Sequence, residues 1–165
     1  MKNLLNLLHG ETPTKINLCL IYGIGFIASI ILFSHYSQNT GIERVIRGIV
    51  GLDIVGGIIA NLSTSTKKWW QSQSKYVQYL FLVLHIIQPI IFGYILDVDL
   101  KMMLSLFMYV LICGLILINL GKELNRIFAV IFAGIGILVF SHIGMQDWFF
   151  IAYIFKLVVG FCIKW

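Results

Sequence analysis

Six stretches of this chain approach the roughly 20 apolar residues that a helix needs to cross a ~30 Å hydrocarbon layer. They are Ile16 to Phe33, Ile46 to Leu62, Tyr76 to Leu96, Met102 to Leu120, Ile127 to His142 and Trp148 to Cys162. In lipid every backbone N–H and C=O must find its partner within the protein, which favours helices in all six. Pro13 and Pro89 are the chain's two prolines, and of them Pro89 alone falls within a run. The expected fold class is therefore all-α, a polytopic integral membrane helical bundle of about six transmembrane helices. Residues 1–165 read as one integral membrane domain, because the longest loop, Ser63 to Lys75, is too short to fold alone.

Composition supports lipid as the surrounding solvent. The chain is 59% hydrophobic and 12% charged, against about 45–50% and 25% in soluble domains. A soluble protein of 165 residues could not hide that much apolar surface. The net charge of +5 does not imply nucleic acid, which needs a basic stripe or a recognisable module. Instead the basic residues are scattered between the apolar runs, as topology signals are. One side of a six-span arrangement collects Lys2, Lys15, Lys67, Lys68, Lys75, Lys122, Arg126 and Lys164; the other has Arg44, Arg47 and Lys101. Cytoplasmic loops carry the excess, so both termini should face the cytoplasm of a cell-membrane, multi-pass protein.

The first run resembles a signal peptide only in hydropathy. It has a long polar head and is followed by Ser34-His35-Tyr36 without a small-residue cleavage pattern, so it is expected to be retained. Leu4, Leu5, Leu7 and Leu8 alternate with Asn3, Asn6 and His9, a pattern that suits a segment lying along the membrane surface or a frayed terminus. Gly23-Ile24-Gly25 loosely echoes Gly134-Ile135-Gly136, which would fit a three-plus-three inverted repeat, although glycine is common in membrane helices.

Asp53 stands in the middle of the second run. An ionised carboxylate at the bilayer centre costs roughly 2.5–3.5 kcal/mol on insertion scales, so it faces protein or water and has a partner. Asp53, Gly57 and Asn61 share one helical stripe, with Gly56 and Ala60 beside it. The small residues suit close helix packing, and Asn61 offers an amide across the interface. Two partners for Asp53 are in reach. His85 lies as far after the Ser63 to Lys75 loop as Asp53 lies before it, which puts both about 15 Å from the loop. Lys156 lies eight residues after Trp148 and Asp53 eight residues after Val45, so if both runs start at the outer surface the charges meet at similar depth, and Lys156 would either pair with Asp53 or snorkel toward the interface. Gln78, His85 and Gln88 share a face, and Pro89 frees the carbonyl of His85 by removing the amide that would bond to it.

The loop Ser63-Thr64-Ser65-Thr66-Lys67-Lys68-Trp69-Trp70 offers Lys67, Lys68, Trp69 and Trp70 as headgroup or interface contacts, with an anionic lipid as candidate partner. The positive-inside rule and the aromatic belt explain the same residues without a bound lipid. His35 and His142 would make an external pair only if the fold brought them together. Cys19, Cys113 and Cys162 have no metal-ligand spacing. No Walker loop, dinucleotide fingerprint, HExxH or Gly-x-Ser-x-Gly is present, so no metal, cofactor or catalytic residue is assigned.

The run Asp53-Ile54-Val55-Gly56-Gly57 with Asn61, Thr64, Lys67, Lys68 and Trp69, followed by His85 and Pro89, resembles small bacterial multispanning membrane proteins of uncharacterised function. It covers about a quarter of the chain and implies no substrate or cofactor.

The leading expectation is a small transporter or channel for an ion or small solute, oligomeric, with Asp53, His85, Asn61, Gln88 and Lys156 along its pathway. One alternative is a membrane-embedded enzyme acting on a lipid or isoprenoid, with Asp53 and His85 as an acid–base pair. Another is a non-catalytic component of a membrane assembly.

Overall fold

The structure, a computed structural model, describes residues 8–35, 40–95, 98–140 and 147–164. The expectations for residues 3–7 and for His142 lie outside them. Among the described residues the protein is all helix. In chain order these are α1 (Lys15–His35), α2 (Gly41–Leu62), α3 (Thr64–Ser72), α4 (Lys75–Leu84), α5 (Ile87–Ile95), α6 (Leu100–Asn119), α7 (Lys122–Phe140) and α8 (Asp147–Ile154). A π-helical segment, Phe155–Phe161, continues α8.

Among the described residues five helices are long and apolar enough to cross a membrane: Lys15–Ser34, Gly41–Leu62, Lys75–Tyr94, Leu100–Asn119 and Lys122–Phe140. Their outer faces remain apolar, with Ile16, Phe26, Ile42, Ile49, Val130 and Leu138 all exposed, a surface suited to lipid rather than water. α2 begins five residues before the expected span, at Gly41 rather than Ile46. A capping box explains the extension: Thr40 accepts from the Glu43 amide, and the Glu43 carboxylate accepts from the Thr40 amide. Arg47, counted with the outer positive charges at the start of the Ile46 to Leu62 run, lies inside α2 and is buried, its guanidinium 5.8 Å from the centre of the Phe92 ring.

Five of the six expected runs thus meet that length among the described residues. The sixth run forms α8 and the π segment, a rod too short for the same criterion and turned inward. Phe149, Phe150, Tyr153, Ile154, Leu157 and Val158 are fully buried along it. The rod packs against α2, α6 and α7 and makes the core of the bundle. α1, by contrast, packs chiefly on α2. Their backbones meet where a side-chain carbon on Gly56 would stand 3.2 Å from the Ile21 carbonyl oxygen. Glycine is what permits that approach.

The end of the rod is tied down by polar groups. Fully buried Asn125 donates to the carbonyls of Leu117 (2.8 Å) and Cys162 (2.9 Å) and accepts from the Lys164 amide at 2.7 Å. Lys67 and Gln71 from α3 both donate to the Ile163 carbonyl, at 2.5 and 3.3 Å. Arg126 Nε donates to the Lys164 carbonyl at 2.9 Å.

Candidate functional site

Asp53 projects from the middle of α2, and its partner is Lys156. The ammonium Nζ lies 2.9 Å from Asp53 Oδ2, with the lysine side chain 4% exposed and the aspartate side chain 50% exposed. Gln88 Nε2, from the first turn of α5, donates to the same carboxylate oxygen. Three elements thus converge on one anion. Lys156 reaches inward to the carboxylate instead of snorkelling.

The lysine has a berth in α2. A side-chain carbon on Gly57 would sit 2.6 Å from Lys156 Cε, so Gly57 makes room for the lysine stem, whereas Gly56 makes room for α1. Ala60 is buried beside it. Asn61 Nδ2 donates to the Lys156 carbonyl at 3.2 Å. The π segment opens here, and its wider turns are a recurrent feature of functional helices. Gly160 lets this rod approach α2, where an added carbon would meet Asn61 Cβ at 3.2 Å.

His85 occupies the break between α4 and α5. Its Nδ1 lies 2.7 Å from the Phe81 carbonyl. A carbonyl only accepts, so Nδ1 carries the proton, and in the neutral ring Nε2 is left as an acceptor. The backbone oxygen of His85, without a Pro89 amide to bond to, accepts from Tyr153 OH at 2.9 Å. No hydrogen bond joins Asp53 and His85 among the described residues. The depth match brings His85 to the site without making it the partner of the acid.

Two cavities meet at Asp53. The larger, about 420 Å³, runs along α4 between Asp53, His85 and Gln88 at one end and Trp70 at the other, with Leu80, Phe81 and Leu84 in its wall. The smaller, about 220 Å³, is enclosed by His9, Tyr22, Leu52, Asp53, Gly56 and Ala60. His9 Nε2 lies 2.6 Å from Tyr22 OH. Burial holds the His9 imidazole below its ordinary pKa.

The 63–75 segment is not an open loop, because Thr64–Ser72 forms α3. Its helical phase splits the four expected interface residues. Lys67 and Trp70 are buried at 4% exposure each, turned into the protein, while Lys68 is exposed and Trp69 half-buried. Trp70 packs on Phe81 and Phe161 with ring centres 4.2 and 5.1 Å apart. Burial pulls the Lys67 ammonium down to a pKa of about 8, opposed by the Cys162 thiol beside it. Among the described residues no cluster of three His, Cys, Asp or Glu could hold a metal ion.

Sequence reasoning missed Tyr153, His9 with Tyr22, and Asn125. A signal existed only for Asn125, an amide followed by apolar residues at the start of a helix. No protein-family model, curated protein or solved structure matches this chain, so the site is interpreted from its own geometry.

Proposed function

We propose that this chain is a multi-pass transporter of the cell membrane, with both termini cytoplasmic, that moves an ion or small solute past Asp53. One observation carries the reading: the Asp53–Lys156 pair is buried on its lysine side, half open on its aspartate side, and stands between two cavities. Neutralising the carboxylate, by a proton or by a bound cation, strips Lys156 of its counter-ion in a berth it cannot readily leave. The penalty for an uncompensated buried charge then drives α2 and the C-terminal rod apart. Titratable groups inside a membrane protein serve proton and ion pathways in this way. His85 and Gln88 line the larger cavity, and Asn61 fixes the backbone that presents Lys156.

The enzyme reading is less well supported, since its acid–base pair would be Asp53 with His85 and the two are not hydrogen-bonded. In this proposal Lys68 and Trp69 take the interfacial role, with an anionic lipid, and the apolar outer face of α1 leaves room for a homo-oligomer. The test is flux in liposomes across proton and cation gradients, comparing wild type with Asp53→Asn at matched insertion. Flux that vanishes in the variant supports the proposal. A wild type that carries neither ion overturns it.

A further inference from the structure

The larger cavity has more to bind than the ion pair uses. Its long wall is apolar and open along the outer side of α4, where Val77, Leu80, Leu84 and Ile87 are exposed. At one end several hydrogen-bonding groups are left over. Gln88 spends its Nε2 on Asp53, and its Oε1 is buried with no hydrogen-bond partner. The amide cannot be reversed to cure this, because Oε1 against a carboxylate would repel it. His85 spends Nδ1 on Phe81 and presents Nε2 as an acceptor. Asp53 spends Oδ2 on both Lys156 and Gln88. At the far end the indole N–H of Trp70, a residue 96% buried by its 4% exposure, has no hydrogen-bond partner either.

A buried acceptor without a donor is costly, and a ligand group that supplies one recovers the cost. Gln88 Oε1, with His85 Nε2 and the half-exposed Asp53 carboxylate as further acceptors at the same end, therefore calls for a donor head on an apolar body. The charge already present decides which donor. Lys156 neutralises Asp53, so an ammonium head would meet a second buried cation at close range, whereas a hydroxyl donates its proton without adding charge. The cavity, about 420 Å³, falls within the roughly 300–1,000 Å³ of small-molecule sites.

We infer that the cavity along α4 is a binding site for an uncharged, membrane-soluble alcohol, its hydroxyl held by Gln88 Oε1 and His85 Nε2 and its apolar body along Leu80, Phe81 and Leu84. This names a ligand class for the cavity beside the ion pair and rests on the proposed function only in placing the groove against lipid. Trp70 marks occupancy, because it closes the far end of the groove.

The experiment uses purified full-length protein in lipid nanodiscs, with bromododecanol as a quencher of tryptophan emission. Competitors are dodecanol, dodecylamine and dodecane, which differ only at the head. Dodecanol should relieve quenching at concentrations about ten-fold lower than dodecane, the worth of one hydrogen bond, and lower than dodecylamine. Trp70→Phe should remove the quenchable component, and Gln88→Leu should erase the preference for alcohol over alkane while retaining alkane binding. Equal potency of dodecanol and dodecane, or a preference for dodecylamine, overturns the assignment. The wild-type comparison needs no variant to fold. Alcohol selectivity without ion flux would leave this site standing and remove the transport reading, while flux without selectivity would do the reverse.

Discussion

At the residue scale Gly57 is the sharpest probe of the site. A methyl group there would lie 2.6 Å from Lys156 Cε, near the mobile end of a flexible side chain. The lysine can yield, so Gly57→Ala should cost about 1 kcal/mol or less in thermal unfolding. Yielding withdraws the ammonium from Asp53, and flux should fall toward that of Asp53→Asn. Gly57→Leu leaves the lysine no room and should destabilise by about 1–3 kcal/mol. Unchanged flux in a folded Gly57→Ala protein would mean that the berth does not matter. Lys156 was legible as one of two candidate partners of Asp53, with snorkelling left open, because a charge inside an apolar run has few ways to be satisfied and equal distances from the run ends set equal depths. The same rule offered His85 as the other candidate. Depth says nothing about azimuth, and the Phe81 carbonyl one turn away claimed its ring. Gly57 was read as a packing residue because a berth for a side chain and a close backbone approach need the same absence of a β-carbon.

At the scale of elements, the break between α4 and α5 connects helix geometry to the core. Pro89 deprives the His85 carbonyl of the donor four residues on; the Gln88 amide, at 3.3 Å, and Tyr153 OH from the C-terminal rod, at 2.9 Å, donate to it instead. Tyr153→Phe should therefore cost about 1 kcal/mol in unfolding free energy. In a Pro89→Ala background, where an amide is restored to the helix, the same change should cost measurably less. A double-mutant cycle on detergent-solubilised protein reads this coupling. Additive effects would show that the phenol and the missing amide are independent. The break itself was legible from Pro89, and so was the freed carbonyl. Tyr153 was not, since one tyrosine in an apolar run carries no mark of its partner. Likewise the Ser63 to Lys75 stretch has a polar composition that reads as loop. Ser63 caps it through its side chain, accepting from the Thr66 amide, and once helical it had to turn Lys67 and Trp70 to the same inner side.

For the whole molecule, α2, α6 and α7 pack around a shorter and more buried C-terminal element. Hydropathy alone could not separate that rod from the spans around it, because a core-buried helix and a lipid-facing one are both apolar all round. The burial of Lys67 beneath the rod gives the fold a pH signature. Its pKa in the folded protein, about 8, lies below the unfolded value of 10.5. Between these values the unfolded chain binds more protons than the folded one, so stability rises with pH through that window. Below pH 8 both states carry the ammonium and this contribution is flat. Lys164, also held below its ordinary value by burial, acts in the same sense. The rise between pH 8 and 10.5 should be smaller in Lys67→Met, as read from the midpoint of thermal unfolding. An identical slope in the variant would assign the dependence to other groups.

The Asp53–Lys156 pair has a further consequence in the order of synthesis. Its members are 103 residues apart, and at roughly 5–20 residues per second the second emerges on the order of 5–20 s after the first. During that interval the growing chain holds an acid in its second helix with Lys156 not yet made to meet it, and a bundle whose centre arrives after the helices packed around it. Nascent chains of this protein should therefore depend on the insertion machinery, or on a proton borrowed from water, to shelter Asp53 until Lys156 takes over.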